Sequence, residues 1–284
     1  MTYQAPVAMD AAFAALPGAS VVAGGTDWFP ALGEGLPKGD VLDITALPGF
    51  RGITQAAAFY RIGAATSWSD LIAADLPPAF DGLKAAGREV GSVQIQNAGT
   101  IGGNLCNASP AADGVPPLLT LGARVELVSA RGRRNLALAD FILGPRRTAL
   151  QQGELLAAVL IPPPATGARG AFLKLGARRY LVISIASAAA VVRVDHGVIV
   201  AAAVAVGACS AVPQRLFALE KALVGCRVGA LPAITPDHLA PLSPIADVRG
   251  SAAYRLRLAG VLVARVIAAS LSGASLIGAH VADG

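Results

Sequence analysis

NAGTIGGNLCNASPAADG, residues 97–114, is where the reading of this chain is decided. It is dominated by glycine, asparagine, alanine and small hydroxyl residues, and Asp113 is its only charge. Such a stretch cannot build a core. Its backbone is either held in place by the rest of the protein or holds something itself. The glycine pair inside TIGGN, 100–104, lets the main chain turn with positive φ and bring its amides close to a ligand. Successive N–H groups in such a turn form a concave anion site. A hydrogen bond to a charged group contributes about 1.5–3 kcal/mol, so several amides can hold a pyrophosphate without a lysine. Thr100 and Asn104 add side-chain donors, and Asp113 can accept from a sugar hydroxyl. The spacing predicts a glycine loop at 100–104.

AGGTD at 23–27 has the same character. It pairs glycines with Thr26 directly after a strand-like segment, ASVVAG at 19–24. Either glycine pair also reads as an ordinary turn, and that alternative stays open at this level. Other phosphate-binding patterns are absent. No G-x-x-x-x-G-K-[ST] occurs, and no G-x-G-x-x-G follows the first strand.

The chain has 284 residues, room for one large domain or two ordinary ones. Hydrophobic residues make up 54% and charged residues 14%, which excludes a disordered chain. The charge is also lower than a solitary soluble protein carries. The apolar surplus is either covered by a partner subunit or simply reflects an alanine-rich sequence. The net charge of +5 is scattered, with small groups at Arg131, Arg133, Arg134 and at Arg146, Arg147. No basic run with interleaved aromatics exists, so nucleic acid is not the expected partner. Cys106, Cys209, Cys226, His196, His238 and His280 lie far apart, in no zinc or iron–sulfur spacing, so no metal is expected on this chain. An odd cysteine count without a framework suggests a reducing compartment. The N-terminus lacks a signal-peptide pattern. The most apolar segments, 181–209 and 258–279, are interrupted by Arg193, Asp195 and His196 and by Arg265, so no membrane span is expected. These features predict a soluble cytoplasmic protein.

Short strands are predicted at 19–24, 41–45, 59–64 and 154–162, with a strand pair at 124–130 and after Arg131-Gly132. Short helices are predicted at 28–32, from a Thr66 or Ser67 cap to Ile72, at 79–90, and from Pro116-Pro117. Pro162-Pro163-Pro164 is a stiff break and marks a domain boundary. Beyond it come a strand at AFLKLGAR and a hairpin around Asp195-His196-Gly197. Both hairpin arms are apolar on both faces, so the hairpin should be covered on two sides. Helices follow at about 213–224, 236–240 and 251–271. The order predicts an α+β architecture in both parts.

VVAGGTD (21–27), IQNAGTIGGNLCNASPAADGVPPLL (95–119) and FLKLGARR (172–179) together resemble the FAD-binding medium subunits of the molybdenum hydroxylases. That family includes bacterial xanthine dehydrogenases, carbon monoxide dehydrogenases and related N-heterocycle and aldehyde oxidoreductases, and the resemblance covers essentially the whole chain. It implies an FAD-binding fold of the vanillyl-alcohol oxidase (PCMH) type at 1–165, in subdomains of about 1–50 and 51–165. A C-terminal domain of the CO dehydrogenase flavoprotein type, an antiparallel sheet with helices, would occupy 166–284.

The resemblance implies that Val21, Val22, Ala23, Gly24, Gly25, Thr26, Asp27 and Trp28 wrap the FAD pyrophosphate together with Thr100, Ile101, Gly102, Gly103 and Asn104, through backbone amides. Asp113 would lie toward the ribityl or ribose hydroxyls. Leu156 and Lys174 match positions close to the flavin, with Leu156 a packing wall and Lys174 bonded to an isoalloxazine carbonyl or steadying its reduced anion. No residue of this chain would be catalytic toward substrate; Glu89, Asp113, Glu126 and Asp140 form no acid–base pair in any recognisable motif. A large molybdopterin subunit would oxidise the substrate, and a small iron–sulfur subunit would pass electrons to the FAD, which delivers them to NAD or another acceptor. The assembly would be a heterotrimer or a dimer of heterotrimers. Two positions depart from the pattern: Gln96 replaces an arginine common before the asparagine, and Tyr180-Leu181-Val182-Ile183 replaces an acidic-containing segment. A self-contained FAD oxidoreductase of the same fold and a noncatalytic nucleotide-binding scaffold are the alternatives.

Overall fold

The strand Leu155–Ile161 is buried at every position, so it can only be the middle of a sheet. In the computed structural model, which describes residues 1–272, it is the centre of a five-stranded antiparallel sheet. Tyr60–Gly63 flanks it on one side and Arg124–Ser129 on the other, with Ile53–Gln55 and Gly132–Ala137 as edges. Arg124–Ser129 alternates less than its sequence suggests, because Glu126 is also buried. Its carboxylate is held by Arg61 at 2.8 Å and Arg133 at 3.1 Å, which supplies the pairing a buried charge requires. A second, smaller sheet is parallel, with Val41–Asp43 between Tyr3–Gln4 and Ser20–Val22. The first strand and the helix Met9–Ala15 are elements that the residue pattern does not reveal.

These two sheets belong to one compact unit, formed by 1–74, 92–108 and 123–163. The second unit comprises 75–91, 109–122 and 164–284, of which residues to 272 are described. His280 and the end of the apolar stretch 258–279 lie outside the described residues.

The second unit is built on Arg169–Leu175, Ala186–Asp195, Val198–Gly207 and Gln214–Arg215, antiparallel in that order. Its hairpin closes on His196 (φ 46°) and Gly197 (φ 76°), two successive left-handed residues of the kind that a two-residue turn between twisted strands requires. The strands are apolar on both faces, and both faces are covered. Phe217–Leu223 and the long helix Ala252–Ser272 form one apolar layer with Ala188, Val204, Val206, Leu262 and Val266. Asp81–Arg88 lies on the other side, where Ala86 packs with Phe172 and Ala189. Val115–Thr120, buried throughout, packs on the same hairpin strands.

The compact units do not run in sequence order as the expected domains 1–165 and 166–284 do. The segments 75–91 and 109–122 precede the triple proline yet fold with the second unit. A sheet with two apolar faces needs two covers, and among the described residues the chain after residue 164 supplies helices for only one of them.

The close seating of Asp81–Arg88 depends on Gly82. A Cβ at that position would stand 2.7 Å from the Ala171 carbonyl oxygen. Alanine in a helix normally gains about 1 kcal/mol over glycine; overpacking here loses about 1–3 kcal/mol. Gly82→Ala should therefore lower the thermal midpoint by about 2–4 °C. Gly144→Ala, where a Cβ meets nothing within 4 Å, should leave it unmoved. Calorimetry of the two variants checks the contrast, and an unshifted Gly82→Ala would refute the seating.

Candidate functional site

The two glycine segments meet main chain to main chain in the first unit. The strand Ser20–Val22 ends, and the chain passes through Ala23 to Gly24. A Cβ on Gly24 would fall 1.9 Å from the Ala98 oxygen and 2.9 Å from the Gly99 Cα. Only a hydrogen fits there. Gly25 then takes a left-handed φ of 67°, and Asp27 precedes the short helix Trp28–Leu32 without capping it through its side chain. Among the described residues, the amides of Gly24, Gly25, Thr26 and Asp27 donate to no protein acceptor. Val21 is exposed, Val22 is buried, and Ala23 and Trp28 are half-buried.

The second segment differs from its expected form. It is not a loop. Ser92 caps Val93–Ala98, and two residues later Thr100 caps Ile101–Asn107 with its Oγ1 accepting from Gly103 N at 3.0 Å. Ile101 N donates to Thr66 O at 3.0 Å, Gly102 N to Ala64 O at 2.8 Å, and Asn104 N to Thr100 O at 3.0 Å. In this structure the amides of Ile101, Gly102, Gly103 and Asn104 are each engaged within the protein. Gly102 has a different purpose: a Cβ would stand 2.6 Å from the Ala64 Cβ and 2.7 Å from its oxygen, so the helix is seated on the chain that follows Tyr60–Gly63. The cause is local. Thr100 is a strong N-cap residue, and capping converts a glycine-rich stretch into a first helical turn.

What this segment leaves for a ligand is Gly103, which is exposed, and the Asn104 carboxamide, whose Oδ1 is buried without a hydrogen-bond partner. A buried polar atom left unpaired is costly. This orphan, together with the four free amides of 24–27, fits a cofactor that carries both a diphosphate and hydroxyl donors. FAD is such a molecule.

Leu156 is buried in the five-stranded sheet, paired with Leu127. Asp113 and Lys174 lie together in the second unit. Lys174 Nζ is 2.8 Å from Asp113 Oδ2, 3.0 Å from Val182 O and 3.3 Å from Glu89 O. An ammonium has three N–H donors, and protein acceptors occupy all of them. Both side chains are below a tenth exposed. Burial pushes the Asp113 carboxyl above its ordinary value, while Lys174 and a hydrogen bond from Ser184 Oγ, at 2.5 Å, pull it back. In this structure the ammonium is committed within the protein. Asp113 likewise has both oxygens engaged. Ser184 is not singled out by any motif; its one signal is a hydroxyl set between Ile183 and Ile185 in an otherwise apolar run.

Comparison with known proteins agrees with this geometry. Residues 1–164 match the family described as the FAD binding domain in molybdopterin dehydrogenase, and residues 171–270 match the CO dehydrogenase flavoprotein C-terminal domain. The chain is 32% identical over 264 residues to the putative xanthine dehydrogenase FAD-binding subunit of Escherichia coli K12, covering 91% of this chain and 90% of that protein. It is 32% identical over 254 residues to the carbon monoxide dehydrogenase medium chain of Afipia carboxidovorans, covering 87% and 86%. The structure superposes on a chain of the reconstituted CO dehydrogenase from Oligotropha carboxidovorans with a TM-score of 0.86 and 30% identity, covering 96% and 98%. An FAD-binding domain followed by an α+β domain with an antiparallel sheet is thus the fold class. The chain belongs to the family of FAD-binding medium subunits of the molybdenum hydroxylases, and it is an oxidoreductase flavoprotein.

The roles assigned to Gly102 give a test. Gly102→Ala should lose about 1–3 kcal/mol of folding stability in the protein without added FAD, read by denaturant unfolding. A variant of full stability would show that Gly102 is not a packing residue.

Proposed function

We propose that this chain is the electron-transferring flavoprotein subunit of a molybdenum-containing hydroxylase or dehydrogenase. The observation that carries the reading is the run of free amides at Gly24–Asp27 beside Ala98–Gly99, with the unpaired Asn104 oxygen on the next helix. Bound FAD supplies the redox chemistry, accepting electrons from iron–sulfur clusters of a small partner subunit and delivering them to an external acceptor such as NAD.

The residues of this chain bind and orient. The amides of Gly24, Gly25, Thr26 and Asp27 point their N–H groups at the diphosphate, a nest of donors that needs no lysine. The flanking Val21, Val22, Ala23 and Trp28 carry the strand-to-helix passage that presents them. Thr100 acts indirectly, by capping the helix on which Asn104 sits. Ile101 and Gly102 seat that helix, and exposed Gly103 leaves the cofactor room. Asn104 accepts from a cofactor hydroxyl or, with its amide reversed, donates to a phosphate oxygen. Leu156 is a packing wall. Asp113 and Lys174, the other two candidate cofactor residues, hold each other and the chain around them in the second unit.

Substrate oxidation belongs to a large molybdopterin subunit in this reading, and the assembly is a heterotrimer or a dimer of heterotrimers in the cytoplasm. The relatives' own names support it, since they are described as a subunit and a medium chain. Exposed large apolar residues give such partners a surface: Phe29, Leu36 and Val93 in the first unit, Phe217, Ile245 and Val248 in the second. Among the described residues, no helix is long and apolar enough to cross a membrane.

Asn104→Ala should weaken FAD binding about 10- to 100-fold, or about 1.4–2.8 kcal/mol, with apo-protein stability maintained. Equilibrium titration of the apo-protein with FAD, followed by flavin fluorescence, measures it. Wild-type protein that takes up no FAD would end the flavoprotein reading, and yellow protein with steady turnover in isolation would favour a self-contained enzyme.

A further inference from the structure

The buried ion pair of the second unit also ties down a neighbouring stretch of chain. Between the strands Arg169–Leu175 and Ala186–Asp195 the chain makes an excursion, residues 176–185. Its base is closed by Ile185 N donating to Leu175 O at 2.7 Å. Its tip exposes Tyr180 (61%), Leu181 (53%) and Ile183 (55%). Exposed apolar side chains provide no packing to hold a tip in place, and Leu181 sits at a left-handed φ of 53°, a conformation that a bulky residue keeps only when its surroundings impose it.

The surroundings that impose it are few. Arg178 reaches across the tip to Leu181 O, at 2.6 Å from Nη2 and 3.2 Å from Nε. Val182 turns inward against Gly176, where a Cβ would meet its Cγ1 at 2.2 Å. At Ile185 the base is also held by Arg255, whose Nη1 donates to Ile185 O at 2.6 Å. Above it, among the described residues, two polar ties join 176–184 to the unit beneath: Lys174 Nζ to Val182 O, and Ser184 Oγ to Asp113 Oδ1. Both end on the same buried pair. Lys174 binds the excursion and Asp113 with one ammonium, and Asp113 binds Lys174 and the excursion with one carboxylate. Glu89 O, just after the helix Asp81–Arg88, takes the third ammonium proton. The cluster thus ties three separate stretches of chain to a single point.

We propose that Lys174 and Asp113 are positioning residues, a buried latch that fixes the segment 176–184 and so sets how Arg178, Arg179, Tyr180, Leu181 and Ile183 are presented at the surface. Its importance to electron transfer rests on the flavoprotein reading above, but the latch itself can be tested without flavin.

The competing view is that the pair merely stabilises the whole unit. Removing one partner of a buried pair leaves the other charge uncompensated, whereas replacing both by apolar residues of similar volume is often neutral or stabilising. Global stability and loop retention therefore separate in the double variant. Lys174→Met alone should destabilise the unit and free the segment. Lys174→Met with Asp113→Leu should recover the wild-type thermal midpoint to within a few degrees, yet leave Val182 O and Ser184 Oγ without their partners and the segment free. Asp113→Asn, which keeps the lysine on its two carbonyls, should fall between wild type and Lys174→Met.

The measurement is limited trypsin digestion of the full-length protein, with and without FAD, read by mass spectrometry. Cleavage after Arg178 and Arg179, both exposed, is compared with cleavage after exposed Arg131 and Arg133 in the first unit. The expected result is a rise of at least tenfold in that ratio for Lys174→Met and for the double variant, with faster amide hydrogen exchange confined to 176–184. An unchanged ratio in Lys174→Met overturns the latch. So does a double variant that regains protection along with stability, because the pair would then be structural only. A wild-type protein that binds no FAD, with the tenfold rise still seen in Lys174→Met and the double variant, would defeat the flavoprotein reading and leave the latch standing.

Discussion

The first unit depends on main chain approaching main chain without side chains between. Gly24 lies against Ala98 and Gly99, and Gly102 lies against Ala64. At distances near 2–3 Å from a backbone oxygen no Cβ can be accommodated, so these positions admit glycine and nothing larger. The consequence is geometric. The end of a parallel strand, the end of one short helix and the start of another are drawn together, and among the described residues the amides of Gly24–Asp27 are left without a protein acceptor. In the proposed reading such a site holds an anion through dipoles already fixed in place, so little further ordering is needed on binding.

The second unit rests on a different requirement. Its hairpin strands are apolar on both faces, which costs solvation unless both faces are covered. The long C-terminal helix and Phe217–Leu223 cover one face. Segments from the first half of the chain cover the other, which interleaves the two units along the sequence. That interleaving also buries Asp113 and Lys174 among groups from four stretches of chain. A charge in such a place needs a partner and satisfied hydrogen bonds, and each member of the pair obtains them from the other, from Ser184 and from two carbonyls.

Strand positions set by hydrophobic runs were legible in the residues alone. Leu155–Ile161 and the arms around His196-Gly197 follow directly from composition and turn chemistry. So does the helix begun by Ser67, whose capping box with Asp70 is a local signal. The stretch 97–114 was legible in type but not in form. Its glycines and small polar residues mark a place of close backbone approach, yet whether Gly102 faces a ligand or a neighbouring strand depends on Ala64, which is distant in sequence. Tyr3–Gln4 was not legible at all, since two exposed residues carry no periodic pattern and become a strand only by pairing with Val41–Asp43.

The sequence by itself determined the family, the two kinds of layer, and the presence of close main-chain approach at 23–27 and 99–104. These follow from residue type and near neighbours, which act over a few positions. The tertiary structure decided which amides remain free, that Lys174 is bound to Asp113 and not left open, and that 75–91 and 109–122 join the second unit. Those outcomes are set by which long-range surfaces must be covered and which donors find acceptors first, and no short window of residues contains that information.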